Sequence, residues 1–223
     1  MKRWIALAAA LAALAACTTP GEARRQRLRP TANPSAVVAT ELAFARMAQE
    51  QGQWAAFRRF AADDALMFTP QPTQAKAWLK GRAEPPVAVK WQPYSVWMSC
   101  DGSLAVTKGA WQRPNGVGYF TTVWQRQRNG SYKWVLDQGD ALKEPLPAPE
   151  MIAATVADCT SVIEEVADMD DDPNGTGAFN GKSDDGSLEW SIDLERDGSR
   201  LLTVDLRKDG HKAEVLRSEV AAE

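Results

Sequence analysis

The histidine content sets the first limit on the chemistry that this sequence could perform. His211 is the only histidine among 223 residues. Catalytic zinc sites usually use two or three histidines, and a serine triad needs one as the general base beside its nucleophile. The sequence therefore argues against a histidine-ligated metal centre and against a histidine-dependent nucleophile. We expect neither a cofactor nor a bound metal ion.

The N-terminal residues are typical of a targeting signal. Two basic residues precede an apolar run over residues 5–16, which is too short to cross a bilayer as a mature helix. This arrangement predicts a secretory signal peptide. The run ends in Leu14-Ala15-Ala16-Cys17, which resembles the bacterial lipobox. That resemblance implies that residues 1–16 are removed and that Cys17 carries lipid, whereas a plain signal peptide is the alternative.

The residues after Cys17 bear on where the protein is anchored. Thr18 stands where lipoproteins kept at the inner membrane carry aspartate, so the same resemblance implies the periplasmic side of the outer membrane. Residues 17–34 contain three prolines and no apolar periodicity, which predicts a flexible tether. Its arginines form either a solvated linker or a patch that attracts anionic lipid headgroups. They are Arg24, Arg25, Arg27 and Arg29.

Two further cysteines, Cys100 and Cys159, remain in the exported chain. An oxidising periplasm permits a disulfide, and two cysteines left in an exported protein often pair. Two buried thiols are the alternative, because free cysteine is a common core residue.

One acidic segment resembles part of a cation site. Asp170, Asp172, Asn174 and Gly175 match the start of an EF-hand calcium loop, in which oxygen ligands alternate around the ion. The twelfth position of that loop should be a glutamate, but here it is Gly181. A solvated acidic loop is therefore the favoured interpretation, and no metal site is assigned.

The first part of the mature chain carries helical periodicity. Apolar residues recur at helical spacing over residues 35–51 and 54–61, which predicts two helices. A short strand over residues 65–68 and a third helix over residues 74–80 should follow.

The periodicity then changes to that of paired strands. Asp101-Gly102, Asn115-Gly116 and Asn129-Gly130 recur every 14 residues. These dipeptides favour tight turns between antiparallel strands because their residues tolerate positive φ. The predicted strands cover residues 91–99, 104–112, 118–126 and 132–139.

The segments 60–70 and 132–139, placed after two helices, resemble the nuclear-transport-factor-2-like superfamily, which includes ketosteroid-isomerase-like and SnoaL-like proteins. The resemblance covers residues 35–143 and is greatest to the uncharacterised bacterial branch. It implies an α+β domain in which a strongly curved antiparallel sheet wraps around the N-terminal helices as a cone with a hydrophobic cavity. It also implies a possible homodimer that pairs through the open face of the sheet.

The resemblance suggests where catalytic residues could lie. Enzymes of this group commonly use an Asp–His pair, or an aspartate with tyrosine and protonated-carboxyl donors, and His211 lies outside the resembling region. Asp64 matches the aspartate that begins the family's strand, although such a residue often only ends a helix. Asp137 lies on the closing strand, with Tyr94 and Tyr119 as possible partners. Strict alternation leaves open whether Asp137 faces the cavity or solvent.

Aromatic residues are concentrated in the same region. They either pack as an ordinary core or line a pocket for a small apolar ligand. The candidate pocket residues are Trp54, Phe57, Tyr94, Trp97, Trp111, Tyr119, Trp124 and Trp134.

The C-terminal part differs in charge from the remainder. Residues 146–223 carry 19 acidic and 7 basic side chains, which suggests a separate unit over residues 150–223. Apolar residues three or four apart predict an amphipathic helix over residues 150–167. Three Asp-Gly turns, 12 residues apart, then predict a small three-stranded antiparallel meander.

These observations favour some classes of function over others. The net charge of -3 is too close to neutral for a nucleic-acid binder as a whole, so no nucleic-acid partner is expected. The leading hypothesis is a non-catalytic module that binds a small ligand or a protein, because no complete catalytic constellation is evident. The alternative is an isomerase, hydrolase or cyclase-like enzyme that uses a cavity aspartate with a tyrosine.

Overall fold

The computed structural model describes residues 31–159 and 178–222. The signal peptide, Cys17, nearly all of the tether and the acidic loop over residues 168–176 lie outside the described residues. None of the helices in these two ranges combines the length and the apolar composition of a membrane-spanning segment.

Three helices precede the long strands: α1 (Pro34–Gln51), α2 (Gln53–Phe60) and α3 (Ala75–Leu79). The side chain of Asn33 caps α1 by accepting a hydrogen bond from the amide of Ala36, and a proline in the first turn has no amide proton to satisfy. Gly52, with φ +108°, separates α1 from α2 in a conformation that L side chains rarely adopt.

Seven strands form one mixed sheet in the order β2-β1-β6-β5-β4-β3-β7. The central hairpins match the predicted turns, and the pairs β1–β6 and β3–β7 are parallel. The strands are β1 (Ala61–Phe68), β2 (Pro72–Gln74), β3 (Lys90–Met98), β4 (Leu104–Arg113), β5 (Gly116–Arg126), β6 (Tyr132–Leu142) and β7 (Ala153–Val156).

The predicted helix over residues 150–167 is wrong in its described part. Residues 153–156 instead form β7, which pairs in parallel with β3, while residues 160–167 lie outside the described residues. The apolar spacing was compatible with a helix, but Ala153–Val156 completes the hydrogen bonds of an otherwise open sheet edge. Tertiary pairing therefore overrides the local pattern.

The large sheet curves around the helices, and its inner face forms the first core. Phe44 on α1 and Ala56 on α2 pack there against Trp124 and Trp134, and all four are almost fully buried. This α+β cone is the fold class that the resemblance implies, although two of its strand pairs are parallel and the sheet is therefore mixed.

A second sheet contains four antiparallel strands, one more than predicted, in the order β11-β10-β9-β8. The three predicted strands are present, and the additional strand is at the edge next to β9. The strands are β8 (Ala178–Lys182), β9 (Leu188–Leu194), β10 (Arg200–Lys208) and β11 (His211–Val220).

The second sheet packs on the outer face of the cone. Leu104 and Val123 from the large sheet share a buried cluster with Ile192 and Val204 from the small one. The resemblance placed a homodimer contact at this face. The chain's own second sheet covers part of this face, and the homodimer stays a prediction.

Two equivalent turns join the sheets. The motif Ser-x-Asp-Gly-Ser-Leu occurs at residues 99–104 and again at 183–188. The amide of Cys100 donates to Oγ of Ser187 over 2.8 Å, and the amide of Asp184 donates to Oγ of Ser103 over 2.9 Å. Such reciprocal contacts are the kind that a two-fold axis produces between identical subunits. Here they lie within one chain.

A disulfide between Cys100 and Cys159 lies beside these turns, with the two Cα atoms 5.2 Å apart. It ties the chain that follows β7 to the turn between β3 and β4. The link therefore fixes the segment that leads from one sheet towards the other.

Candidate functional site

A cavity of about 160 Å³ opens between the helices and the inner face of the cone. Five aromatic rings form most of its wall, and only Asp137 and Arg113 among its lining residues are ionisable. The lining residues are Phe44, Gln53, Phe57, Val89, Trp91, Trp111, Arg113, Phe120 and Asp137.

Strand pairing determines which rings reach the cavity. Trp111 on β4 lies opposite Gly118 on β5. A side chain at Gly118 would meet the indole of Trp111 at 2.4 Å and the backbone oxygen of Asp140 at 2.1 Å. The missing side chain lets the Trp111 ring lie across β5 and form part of the wall.

A β-bulge directs Asp137 into the cavity. The register between β5 and β6 shifts so that Trp124 pairs with Trp134 whereas Val123 pairs with Leu136, which leaves Val135 as the extra residue. Residues on either side of a bulge change face relative to simple alternation. Trp134 and Asp137 therefore both face the interior of the cone, although they are three positions apart.

The carboxyl group of Asp137 is enclosed and nearly without polar partners. Oγ1 of Thr122 donates to its Oδ2 over 2.8 Å. Part of its surface remains accessible because it faces the cavity, while protein atoms surround it elsewhere. This burial raises the pKa of Asp137 from 3.8 to about 7, and the nearby Glu41 carboxyl acts in the same direction.

Glu41 is a second carboxyl in the interior, and its side chain is fully buried. It accepts hydrogen bonds from Nε1 of Trp91 over 2.8 Å, from Oγ1 of Thr107 over 2.7 Å and from Nε1 of Trp124 over 3.0 Å. Burial raises the pKa of Glu41, and the three donors offset only part of this effect. Because Trp91 lines the cavity, Glu41 also holds one of its walls in place.

The two carboxyls are linked through a row of residues across the sheet. Thr107 pairs with Thr122, and Thr122 pairs with Asp137, on adjacent strands. Thr107 donates to Glu41, and Thr122 donates to Asp137. The two carboxyls thus belong to one buried polar group inside an aromatic cone.

The mouth of the cavity is held by hydrogen bonds from α1 and α2. Oε1 of Gln53 accepts from the amide of Val89 over 3.0 Å, and Nε2 of Gln49 donates to the carbonyl of Val89 over 2.8 Å. In the same loop, the Glu84 carboxylate accepts from the amides of Trp54 and Ala55 at the start of α2. The loop before β3 is therefore fixed against both helices.

The structure brings only some of the candidate pocket residues together. Phe57 and Trp111 line the cavity, and so does the catalytic candidate Asp137. Trp124 and Trp134 lie deeper, at 0% exposure, in the surrounding core.

The remaining candidates lie elsewhere. Trp54 packs edge-on against Phe57 and Trp78. Trp97 faces the second sheet, and the Tyr119 hydroxyl donates to the carbonyl of Glu219 on that side. Tyr94 is the extra residue of a bulge in β3.

The placement of Asp64 and the tyrosines corrects the Asp–Tyr hypothesis. Asp64 is exposed on β1, and no tyrosine is among the cavity-lining residues. A carboxyl alone, without a tyrosine donor, therefore faces the cavity in the described part of the chain.

The sequence interpretation missed Glu41, although a signal was present. Residues 37, 41, 44 and 48 form one helical face, and a glutamate among Val37, Phe44 and Ala48 is unusual there. A charged residue within an apolar stripe needs buried partners. The need for buried partners could have identified Glu41 as part of a polar network in the core.

The described residues contain no group of three or more His, Cys, Asp or Glu side chains that could hold a metal ion. The partial calcium motif lies outside them and stays a sequence hypothesis.

Comparison with known proteins finds similarity only among solved structures. No protein-family model and no curated protein matches the chain. A provisionally assigned ketosteroid isomerase from Parabacteroides distasonis is 15% identical and has a TM-score of 0.39, covering 52% of this chain and 97% of its own. An NTF-2-like protein of unknown function from Silicibacter pomeroyi is 16% identical with a TM-score of 0.37, covering 49% of this chain and 99% of its own.

A second NTF-2-like protein of unknown function, from Burkholderia xenovorans, is 16% identical with a TM-score of 0.34, covering 52% of this chain and 90% of its own. Similarity at this level carries no conclusion about activity, which has to be argued from the cavity itself.

Proposed function

We propose that the protein binds a small, ring-shaped, largely apolar molecule in the cavity of the cone. The observation that carries this proposal is an aromatic-lined cavity of about 160 Å³ with one enclosed carboxyl, Asp137. A cavity of roughly 150 Å³ is known to accommodate benzene. The volume therefore suits a molecule with one six-membered ring rather than a fused polycyclic compound.

The carboxyl gives the cavity its polar specificity. Since the pKa of Asp137 is about 7, the group is protonated at mildly acidic pH and can donate a hydrogen bond to the ligand. At higher pH it becomes an acceptor with a negative charge. Ligands with a hydroxyl or carbonyl group near the ring fit this environment, because they offer a partner to an otherwise poorly solvated acid.

A second candidate function is proton transfer. A general base works best when its pKa lies near the operating pH, and Asp137 meets that condition inside an apolar cavity. Such a base could remove a proton from carbon next to a carbonyl group. Protein-dependent exchange of deuterium into cyclohexanone, lost in Asp137→Ala, would favour this function over binding alone.

Ligand binding can be tested with benzyl alcohol by calorimetry or NMR at pH 6. Wild-type protein should bind this probe, and Trp111→Ala should bind it on the order of 10-fold more weakly, because a large apolar contact is lost. Gln112→Ala is the matched control, since Gln112 is the exposed neighbour of Trp111 on β4. Absence of binding, or equal losses in the two variants, would contradict the proposal.

We further propose that the protein is held by lipid on Cys17 at the periplasmic side of the outer membrane. The lipobox-like sequence before Cys17 supports this location. The Cys100–Cys159 disulfide also supports it, because disulfides persist in oxidising compartments such as the periplasm. Mass spectrometry of the N-terminal peptide should find diacylglycerol and fatty acid on Cys17. An unmodified cysteine, or cleavage elsewhere, would contradict lipid anchoring.

A further inference from the structure

The cavity has a fixed positive charge at its mouth. Arg113, at the end of β4, is exposed and lines the cavity on the same face of the strand as Trp111. Its guanidinium lies 5.1 Å from the centroid of the Trp111 ring, a cation–π distance that directs the head group along the cavity wall. Among the described residues, no carboxylate forms an ion pair with Arg113.

The two ionisable groups that line the cavity therefore have different surroundings. Asp137 is enclosed, where burial disfavours its ionised form, and Arg113 is exposed at the end of β4. An apolar ring in the interior would meet aromatic walls, whereas any charge on the ligand would be stable only near the solvent-exposed arginine. A ligand with an anionic group at its outer end satisfies both regions.

We propose that the natural ligands are monocyclic carboxylates, which place the ring inside the cone and the carboxylate on Arg113. This inference rests on the proposed function, because it assigns a ligand class to the same cavity. A carboxylate matches the planar guanidinium fork in a bidentate arrangement. A single arginine also balances the single charge of a carboxylate, whereas a phosphate dianion would carry more charge than this mouth offers.

The inference can be tested with two ligands of nearly identical shape, phenylacetate and its neutral analogue phenylacetamide. Calorimetry at pH 6 and low ionic strength should give about 5- to 10-fold tighter binding of phenylacetate, as expected for one partly exposed ion pair. In Arg113→Gln, the ratio of the two affinities should fall to about 1. Because a general distortion of the cavity would weaken the binding of both ligands, the ratio of the two affinities reports only on the carboxylate.

Two further measurements make the outcome specific. Arg128→Gln, which removes an exposed arginine from the turn between β5 and β6, should keep the wild-type ratio. Raising the salt concentration should reduce the ratio in wild-type protein, because screening weakens an exposed ion pair. Phenyl phosphate should bind no better than phenylacetate.

The possible failures are distinguishable. If benzyl alcohol and phenylacetamide bind but phenylacetate binds no more tightly than phenylacetamide, the ligand class is wrong and the proposed binding function stands. An unchanged preference in Arg113→Gln would also overturn the role of Arg113. If none of the three ring compounds binds, both the ligand class and the proposed function are wrong.

Discussion

Glu41→Ala is expected to lower the free energy of unfolding by about 3–5 kcal/mol, as for loss of a buried group that satisfies several donors. The substitution removes the acceptor of hydrogen bonds from Trp91, Thr107 and Trp124. The indole N–H of Trp91 has no other partner among the described contacts, so it would be left buried without an acceptor. A void in the core adds to the loss.

Two control variants separate this effect from a change in helix propensity. Glu50→Ala changes an exposed glutamate on the same helix and should alter stability by roughly 0.5 kcal/mol or less. Glu41→Gln keeps the shape and one good acceptor, so it should lie between wild type and alanine. Chemical denaturation at pH 7 measures all three variants. A loss in Glu41→Ala no greater than that in Glu50→Ala would show that the buried network does not stabilise the fold.

Asp137→Asn is expected to stabilise the protein at high pH and to leave its stability nearly unchanged at low pH. The pKa of Asp137 rises from 3.8 to about 7 on folding, so between these values the folded state binds the proton more tightly. The contribution of this carboxyl to stability is fully present below about pH 4 and is lost as pH rises through about 7. At pH 8 the ionised carboxyl lowers the free energy of unfolding by about 4 kcal/mol, because each unit of difference between the pKa values of 3.8 and about 7 corresponds to 1.36 kcal/mol.

An asparagine avoids this penalty because it stays neutral and can still accept the hydrogen bond from Thr122. The measurement is the difference in unfolding free energy between Asp137→Asn and wild type from pH 4 to 8. It should grow steadily with pH and should exceed any change in Asp64→Asn, which alters an exposed aspartate. A constant difference would mean that the carboxyl ionises in the folded protein as readily as in the unfolded chain.

Much of the cone follows from local sequence signals. The Asp101-Gly102 and Asn129-Gly130 turns fix their hairpins because the glycines adopt conformations that other residues resist, with φ +67° and +84°. Gly116 instead begins β5 and pairs with Arg113, so the turn of the middle hairpin is Pro114-Asn115. The helices follow from apolar spacing and from the glycine between them. These signals act over a few residues and agree here with the tertiary pairing, unlike the apolar spacing over residues 150–167.

The site itself depends on features that local pattern does not contain. Simple alternation along β6 grouped Trp134 with Leu136, but the bulge at Val135 puts Trp134 inside the cone and Leu136 against the second sheet. The position of Asp137 follows from that one extra residue. Strand β7 was missed for a related reason, since its partner β3 lies more than fifty residues earlier in the chain.

An NMR titration of the side-chain carboxyl carbon of Asp137, with and without benzyl alcohol, would show whether the cone encloses an acid beside a ligand site. We expect the carboxyl of Asp137 to titrate with a midpoint near 7 in the free protein, and we expect both its signal and its midpoint to shift when the alcohol fills the cavity. A midpoint near the ordinary pKa of 3.8 that does not change when the alcohol is added would contradict this expectation. In that case the cone would hold neither an enclosed acid nor a binding site beside it.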